Sequence, residues 1–260
     1  MPLIALCRFR RACPVLLLWA LFTATGFAAP GASAARPKTY VLVHGAWGGG
    51  WAFKDVEHRL RSHGHTVYRP TLTGQGEKVH LAHPDIDLST HITDVANVIL
   101  WENLNDIVLV GHSYGGMVIS GVLERVPERV QHLIYLDALV PEDGESLESA
   151  FGPGRELPGR IENGFAIPPW VQPGQPLPHD VPHPVKTWQE PVALKNPAAR
   201  ALPTTYILTV DPGKRPEDDT FFRFSQRARE RKWAVKILEA DHNPQWSKPA
   251  ELVALFESVP

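Results

Sequence analysis

One serine lies between two glycines at a point where a buried strand is expected to end. The residues at 111–115 read Gly-His-Ser-Tyr-Gly, directly after the apolar run 107–110 and directly before a helix-like pattern that starts at Gly116. A serine in such a strand-to-helix turn has a strained backbone and projects its hydroxyl oxygen above the sheet. A chance turn would lack these flanking elements. The spacing therefore predicts that Ser113 is the nucleophile of an acyl-transfer reaction.

A serine hydroxyl is a weak nucleophile at neutral pH and needs a base within hydrogen-bond reach. Among the twelve histidines, His242 is best placed, because it follows the last predicted strand and precedes the last predicted helix. His112 belongs to the serine turn. No H-E-x-x-H spacing or comparable ligand pattern occurs, so we expect no metal and no cofactor. The remaining histidines considered are expected in loops or on exposed helix faces: His80, His83, His91, His179 and His183.

A base of this kind also needs an acid that orients its ring. Two aspartates are candidates, since Asp137 ends the predicted strand 133–136 and Asp211 ends the predicted strand 205–210. Position in the sequence leaves both open. The aspartate that is not used would solvate or cap a strand end. Asp241 is next to His242 and is expected to point elsewhere.

A glycine-rich loop follows the first predicted strand. Residues 44–50 read His-Gly-Ala-Trp-Gly-Gly-Gly, and such small residues let backbone N–H groups come close to a developing negative charge. We assign an oxyanion hole to the amides of Ala46 and Tyr114. Taken alone, the loop could also be a simple turn before a helix.

Short β-branched runs alternate with amphipathic stretches from Thr39 onward. This pattern predicts an α/β fold with a mostly parallel central sheet flanked by helices. The predicted strands are 40–43, 66–68, 107–110, 133–136, 205–210 and 235–238, and the predicted helices are 51–63, 90–100, 114–125, 219–231 and 248–258.

The interval 139–203 breaks this alternation, because it is rich in proline and aromatic residues. We interpret it as a cap inserted between the strand that ends near Leu136 and the strand that starts near Thr205. Its large aromatic side chains could line an apolar pocket or could simply pack the cap. The pocket residues that we predict are His44, Trp47, Trp170 and Trp188.

The N-terminus has the layout of a secretory signal peptide over residues 1–34. Arginines at 8, 10 and 11 precede an apolar run at 14–24, and Ala32-Ser33-Ala34 offers a cleavage site, with an alternative after Ala28. The run is shorter than the roughly 20 residues that span a bilayer. We expect a secreted or periplasmic protein with no stable membrane insertion after cleavage, although an uncleaved anchor is the alternative. Both cysteines lie in this leader, so the mature chain would form no disulfide.

The length and charge of the chain limit its partners. The 260 residues suit one domain after the leader, over 35–260. A net charge of -2 leaves no excess of positive charge for phosphates, so nucleic acid is not an expected partner. The sequence does not indicate an oligomeric state.

These motifs resemble the α/β-hydrolases of the plant methylesterase and hydroxynitrile lyase type, together with their bacterial homologues. The resemblance rests on the sequence at 41–47, the sequence at 110–117 and the pair Asp241-His242. It implies an α/β-hydrolase fold and a serine esterase that cleaves small apolar or aromatic esters through an acyl-enzyme. The lyases carry a threonine and a lysine where this chain has Gly45 and Asn243, which favours ester hydrolysis.

The resemblance also bears on the acid. Plant methylesterases place it about one residue beyond Asp211, where this chain has Pro212. Haloalkane dehalogenases share the fold but use an aspartate nucleophile, and they often carry their acid in a context similar to 135–138. We therefore favour Asp137 and keep Asp211 as the alternative.

Three other functions fit the same motifs. A lactonase or another triad hydrolase would differ only in its cap and pocket, and an amidase or peptidase would share the chemistry. A non-catalytic ligand-binding protein on a hydrolase fold, like the plant hormone receptors that resemble these enzymes, is the alternative outside catalysis.

Overall fold

The computed structural model describes residues 36–152 and 158–260, and a parallel sheet forms the centre of this part of the chain. The signal peptide predicted for residues 1–34 lies outside these residues. The strands are β1 (Thr39–Val43), β2 (Thr66–Tyr68), β3 (Ile107–His112), β4 (Val130–Leu136), β5 (Arg160–Glu162), β6 (Phe165–Ile167), β7 (His183–Pro184), β8 (Thr204–Val210) and β9 (Ala234–Glu239). Six of them form the central sheet in the order β2-β1-β3-β4-β8-β9, with every pair parallel.

Helices connect the strands and cover both faces of the sheet. They are α1 (Lys54–Ser62), α2 (Leu88–Trp101), α3 (Gly115–Arg125), α4 (Leu147–Phe151), α5 (Lys186–Gln189), α6 (Pro197–Arg200), α7 (Phe222–Glu230), α8 (Pro244–Ser247) and α9 (Pro249–Glu257). Short 3-10 turns lie at Gly50–Phe53, Gly76–Leu81, Pro127–Arg129 and Pro216–Asp218. In the described part of the chain, no helix has the length and apolar character to cross a membrane.

Alternation along the strands divides the core into two layers. On β1, Val41 and Val43 pack into the layer covered by α2, α3 and α7, whereas Tyr40 and Leu42 pack into the layer covered by α1 and α9. All four side chains are fully buried. A parallel sheet with helices on both faces has no solvated side, so its strands read as continuous apolar runs.

The strands predicted for the central sheet are present, with some longer than expected. β3 continues to His112 because Gly111 and His112 pair with Tyr135 and Leu136 of β4. Strand pairing thus extends through a glycine, where local propensity predicts an end. The predicted helix at 51–63 begins instead as the 3-10 turn Gly50–Phe53 and continues as α1.

The segment 139–203, which we call the cap segment, lies between β4 and β8. It contains α4, α5, α6 and the antiparallel sheet β5-β6-β7, and Trp188 within it is 2% exposed. The strands of this small sheet are two or three residues long. Segments that short show no periodicity, so the sequence could not predict them.

Candidate active site

The turn between β3 and α3 holds Ser113 in a left-handed backbone conformation, with φ +54°. Its N–H donates to the Leu136 carbonyl oxygen at 3.2 Å, which ties the turn to the end of β4. A Cβ on Gly111 would lie 2.6 Å from the Gly115 carbonyl oxygen, and one on Gly115 would lie 2.7 Å from that of Val43. Both positions therefore require glycine, because the backbone approaches too closely for a Cβ. The serine is held at the carboxyl end of the central strand β3.

Ser113, His242 and Asp137 form a continuous hydrogen-bonded chain. His242 Nε2 lies 3.0 Å from Ser113 Oγ, and His242 Nδ1 lies 2.6 Å from Asp137 Oδ2. The other carboxylate oxygen of Asp137 accepts the Thr209 N–H at 3.1 Å, and Asp137 itself is fully buried. The carboxylate accepts the Nδ1–H, which leaves Nε2 to accept the serine proton. This arrangement can activate a hydroxyl for attack on a carbonyl carbon.

The two candidate acids have different partners. Asp137 contacts His242, whereas the carboxylate of Asp211 pairs with Lys214 Nζ at 2.6 Å on the rim of the cavity described below. Asp241 Oδ1 accepts hydrogen bonds from the Asn243 N–H and from the hydroxyl of Ser247, the last residue of α8, rather than from the His242 ring. The structure therefore brings the acid at the end of β4, not the one at the end of β8, to the histidine.

Two aromatic rings enclose the imidazole of His242. Phe221 stacks on one side with ring centroids 4.7 Å apart and an interplanar angle of 14°, and His112 lies 4.7 Å away at 40°. His112 Nε2–H also donates to the His242 carbonyl oxygen at 2.7 Å. Burial lowers the pKa of His112 well below its ordinary value, which keeps this side chain neutral. Neither contact follows from the sequence, in which the position of His112 beside Ser113 is the one available signal.

The glycine-rich loop brings Ala46 close to the serine turn. A Cβ on Gly45 would lie 3.0 Å from the Ser113 Cβ, so the loop can approach only because this residue is glycine. Ala46 and Tyr114 both line the same cavity as Ser113. Within residues 36–152 and 158–260, neither of their backbone amides has a hydrogen-bond partner. Two donors are thus left next to the nucleophile, where an oxyanion would need them.

The expectation that the other histidines lie in loops or on exposed helix faces is wrong for His91, which is fully buried on α2, and for His183, which is fully buried in β7. The Tyr114 hydroxyl donates to His91 Nδ1 at 2.9 Å, and His91 Nε2–H donates to the Thr73 carbonyl oxygen at 3.0 Å. Burial lowers the pKa of His91 to about 4. The two partners of His91 are 18 and 23 positions away in sequence, so no local pattern reveals its role. In the part of the chain that the structure describes, no three His, Cys, Asp or Glu side chains are grouped to hold a metal ion.

His44 has a similar role at the start of the glycine-rich loop. It is fully buried, its Nε2 accepts the Leu72 N–H at 3.1 Å, and its Nδ1–H donates to the Gly45 carbonyl oxygen at 2.8 Å. Burial lowers its pKa to about 4. A neutral histidine therefore fixes the first turn of the loop that leads to Ala46.

A cavity of about 920 Å³ opens above Ser113. The four predicted pocket residues all line it, and Trp47 and Trp170 meet edge to face with centroids 5.1 Å apart. On another part of the wall, Trp51 and Trp246 stack at 5.5 Å. The volume and aromatic lining suit a small-molecule ligand of mixed aromatic and apolar character.

Comparison with known proteins identifies the family. Residues 40–255 match the model of the alpha/beta hydrolase family. The carbendazim hydrolyzing esterase of Nocardioides sp. (strain SG-4G) is 54% identical over 108 residues, which cover 42% of this chain and 45% of that protein. Methylesterase 1 of Arabidopsis thaliana is 31% identical over 113 residues, or 43% of each chain. The chain thus matches less than half the length of these two relatives.

A solved structure extends the likeness to the whole fold. The extracellular alpha/beta-hydrolase from a Paenibacillus species superimposes with a TM-score of 0.69 at 23% identity, covering 85% of this chain and 98% of that one. These findings confirm the predicted fold class and the resemblance to esterases of the plant methylesterase type. The chain belongs to the alpha/beta hydrolase family.

Proposed function

We propose that this protein is a carboxylesterase in which Ser113 is the nucleophile, His242 the general base and Asp137 the orienting acid. The observation that carries the proposal is the hydrogen-bonded chain from the Ser113 hydroxyl through His242 to the buried carboxylate of Asp137. The Ser113 end of this hydrogen-bonded chain lies in a cavity that is large enough for a small-molecule ester.

The reaction proceeds in two acyl-transfer steps. Ser113 Oγ attacks the ester carbonyl carbon while His242 Nε2 takes the hydroxyl proton, and Asp137 stabilises the imidazolium that forms. The Ala46 and Tyr114 amides donate to the oxyanion, an interaction worth about 3 kcal/mol per donor in acyl-transfer enzymes. When the tetrahedral intermediate collapses, His242 gives its proton to the departing alcohol. Water then attacks the acyl-enzyme by the same route and releases the acid.

The cavity favours an ester with an aromatic or apolar group. The rings of Trp170 and Trp188 each meet the ring of Trp47 edge to face, at 81° and 80°, with centroids 5.1 and 5.2 Å from it. Flat aromatic groups bind such walls through offset and edge contacts. The named activities of the related proteins concern small-molecule esters, which supports the same substrate class here.

Hydrolysis of an N-aryl carbamate ester is a second candidate. The 54% identity over 108 residues to a carbendazim-hydrolysing esterase favours it, because carbendazim is the methyl carbamate of a flat benzimidazole. A carbamate presents the same carbonyl carbon to Ser113 and the same developing charge to the two amides. The tryptophan walls suit the bicyclic ring.

The test is hydrolysis of p-nitrophenyl esters of increasing acyl length, beside carbendazim and an aromatic lactone, by the wild type and by Ser113→Ala. We expect ester turnover that Ser113→Ala abolishes, with faster hydrolysis of aromatic or medium-length acyl groups. Turnover of the lactone alone would show that the protein is a lactonase and not a carboxylesterase. A folded wild-type protein that binds these compounds but cleaves none of them would overturn the proposal in favour of ligand binding.

A further inference from the structure

Trp47, the residue after Ala46, is attached to the cap segment through all three of its hydrogen-bonding groups. Its backbone N–H donates to His183 Nδ1 at 3.2 Å, and its carbonyl oxygen accepts the Val181 N–H at 2.9 Å. Its indole Nε1–H donates to the Ala166 carbonyl oxygen at 2.9 Å. The loop that carries the proposed oxyanion donor is therefore bonded to residues of the cap segment that lie 119 to 136 positions later in the sequence.

Trp47 also has an unfavourable backbone conformation that these bonds maintain. Its φ is +63°, in the left-handed region that residues with a bulky side chain rarely adopt. Its ring packs edge to face against Trp170 and Trp188, both from the cap segment. A strained residue persists only where its surroundings determine it, and here the cap segment supplies those surroundings.

The hydrogen bonds of His183 determine which of its ring nitrogens accepts the Trp47 N–H. The Thr187 hydroxyl donates to the Pro184 carbonyl oxygen at 2.8 Å, so His183 Nε2–H donates to Thr187 Oγ1 at 2.8 Å. Nδ1 is then the atom that accepts the Trp47 N–H. Gln75 Oε1 lies 3.0 Å from the same nitrogen. It would accept a hydrogen bond from Nδ1 only in the other tautomer, which carries the proton on Nδ1. In that tautomer the Trp47 N–H would have no acceptor on His183.

Ala46 thus lies between two fixed points. On one side Gly45 packs against the Ser113 Cβ, and on the other Trp47 is held by the cap segment. We propose that the cap segment completes the oxyanion hole, with Trp47 and His183 as positioning residues that aim the Ala46 amide at the reacting carbonyl. The proposal rests on the esterase function above and assigns the cap segment a part in the chemical step as well as in substrate binding.

The experiment compares a p-nitrophenyl ester with the matching thionoester, in which sulfur replaces the carbonyl oxygen. The acyl group is the one that the wild type hydrolyses fastest. Sulfur accepts hydrogen bonds weakly and lies farther from carbon, so an oxyanion hole contributes little to thionoester hydrolysis. The ratio of the two kcat values therefore reports on the hole and not on general damage to the site.

Trp47→Phe keeps an aromatic ring and removes the indole N–H. We expect its kcat on the oxygen ester to fall about 10- to 100-fold, less than the loss of a whole oxyanion donor, while the thionoester rate stays within about threefold. Trp246→Phe is the matched control, because it makes the same change in another part of the cavity wall, where the ring stacks on Trp51. It should alter both substrates alike and leave the ratio unchanged. Equal losses on both substrates in Trp47→Phe would overturn the proposal.

His183 variants test the backbone contact separately. His183→Leu removes the acceptor, and His183→Asn places an amide oxygen near the Nδ1 position. We expect His183→Leu to lower the ratio of oxygen-ester to thionoester kcat about 10-fold and His183→Asn to restore most of it, with KM changed little in either. His132→Leu, a buried histidine bonded to Thr205 away from the site, is the control for losing such a residue and should keep the wild-type ratio.

The outcomes separate this inference from the esterase proposal. An unchanged ratio in Trp47→Phe or in His183→Leu, with an active wild type, would overturn the role of the cap segment and leave the esterase intact. A wild type that cleaves neither substrate would remove both proposals.

Discussion

His242 Nδ1 lies 2.6 Å from Oδ2 of Asp137, a fully buried carboxylate directly after β4. The next strand of the sheet, β8, is followed by a second aspartate, Asp211. The carboxylate of Asp211 accepts a hydrogen bond from Lys214 Nζ. Two neighbouring strand ends thus offer a carboxylate, and the one that contacts His242 is the inner, desolvated one. Burial strengthens its hydrogen bond to the imidazole, because little water competes for the carboxylate.

The first prediction separates these two acids. Asp137→Asn should lower kcat about 10⁴-fold, because an amide in place of the carboxylate favours the wrong histidine tautomer and cannot stabilise the imidazolium. Asp211→Asn should stay within about threefold, as expected for a surface ion pair. Both values come from steady-state hydrolysis of a p-nitrophenyl ester. A larger loss in Asp211→Asn than in Asp137→Asn would reverse the assignment.

The second prediction concerns His112. His112→Phe keeps an aromatic ring beside His242 but removes the N–H that donates to the His242 carbonyl oxygen. We expect kcat to fall about 10-fold with little change in KM, because the base moves relative to Ser113. His112→Gln, which can place an N–H near the same carbonyl oxygen, should recover most of the rate. If both variants keep wild-type kcat, His112 does not position the base.

The third prediction is a loss of stability in mild acid. The pKa values of His44 and His91 are lowered to about 4 by burial, so the unfolded chain binds more protons than the native state between about pH 6.5 and pH 4. Stability is therefore complete above that range and decreases as the pH falls through it. Each histidine contributes a loss of about 2 kcal/mol between pH 7 and pH 5.

Urea unfolding at the two pH values measures this effect. His91→Asn offers an oxygen near the Nδ1 position for the Tyr114 hydroxyl but does not titrate, so its loss of stability between the two pH values should be smaller by about 2 kcal/mol. His63→Asn changes an exposed histidine whose partner is Glu257 and serves as the control. The same pH dependence in His91→Asn and the wild type would contradict the account.

The fourth prediction concerns export. If residues 1–34 are a signal peptide, the chain recovered from an exporting bacterial host should begin at Ala35, or at Ala29 if cleavage follows Ala28. Intact-mass measurement distinguishes these products from the full chain. Leu16→Arg interrupts the apolar run and should leave the protein unprocessed in the cell. A wild type that keeps Met1 while crossing the inner membrane would contradict the prediction of a cleaved leader.

The residues that the sequence could predict are those whose surroundings are local. The serine turn is defined by contiguous glycines and by the strand and helix on either side, so Ser113 could be assigned from five residues and their neighbours. His242 follows from its position after the last strand. Asp137 and Asp211 remained alternatives because each ends a strand, and only tertiary contacts separate a buried carboxylate from a solvated one.

The parts that could not be predicted depend on contacts between distant segments. Trp47 and His183 are 136 positions apart, and no periodicity links them. From the sequence alone, His91 is a polar residue on a helix. Nothing local indicates its hydrogen bonds to the Tyr114 hydroxyl and the Thr73 carbonyl oxygen. A polar side chain is expected at the surface by default, and only a complete set of internal hydrogen bonds permits its burial.

The most direct test of the central claim is to trap the acyl-enzyme on Ser113. After rapid mixing with a p-nitrophenyl ester and acid quench, intact-mass measurement and peptide mapping locate the added acyl group. We predict one acyl group per chain on the peptide that contains Ser113, formed in the same burst that releases p-nitrophenol, and none in Ser113→Ala. An acyl group on another residue, or wild-type turnover in Ser113→Ala, would contradict the proposal that Ser113 is the nucleophile.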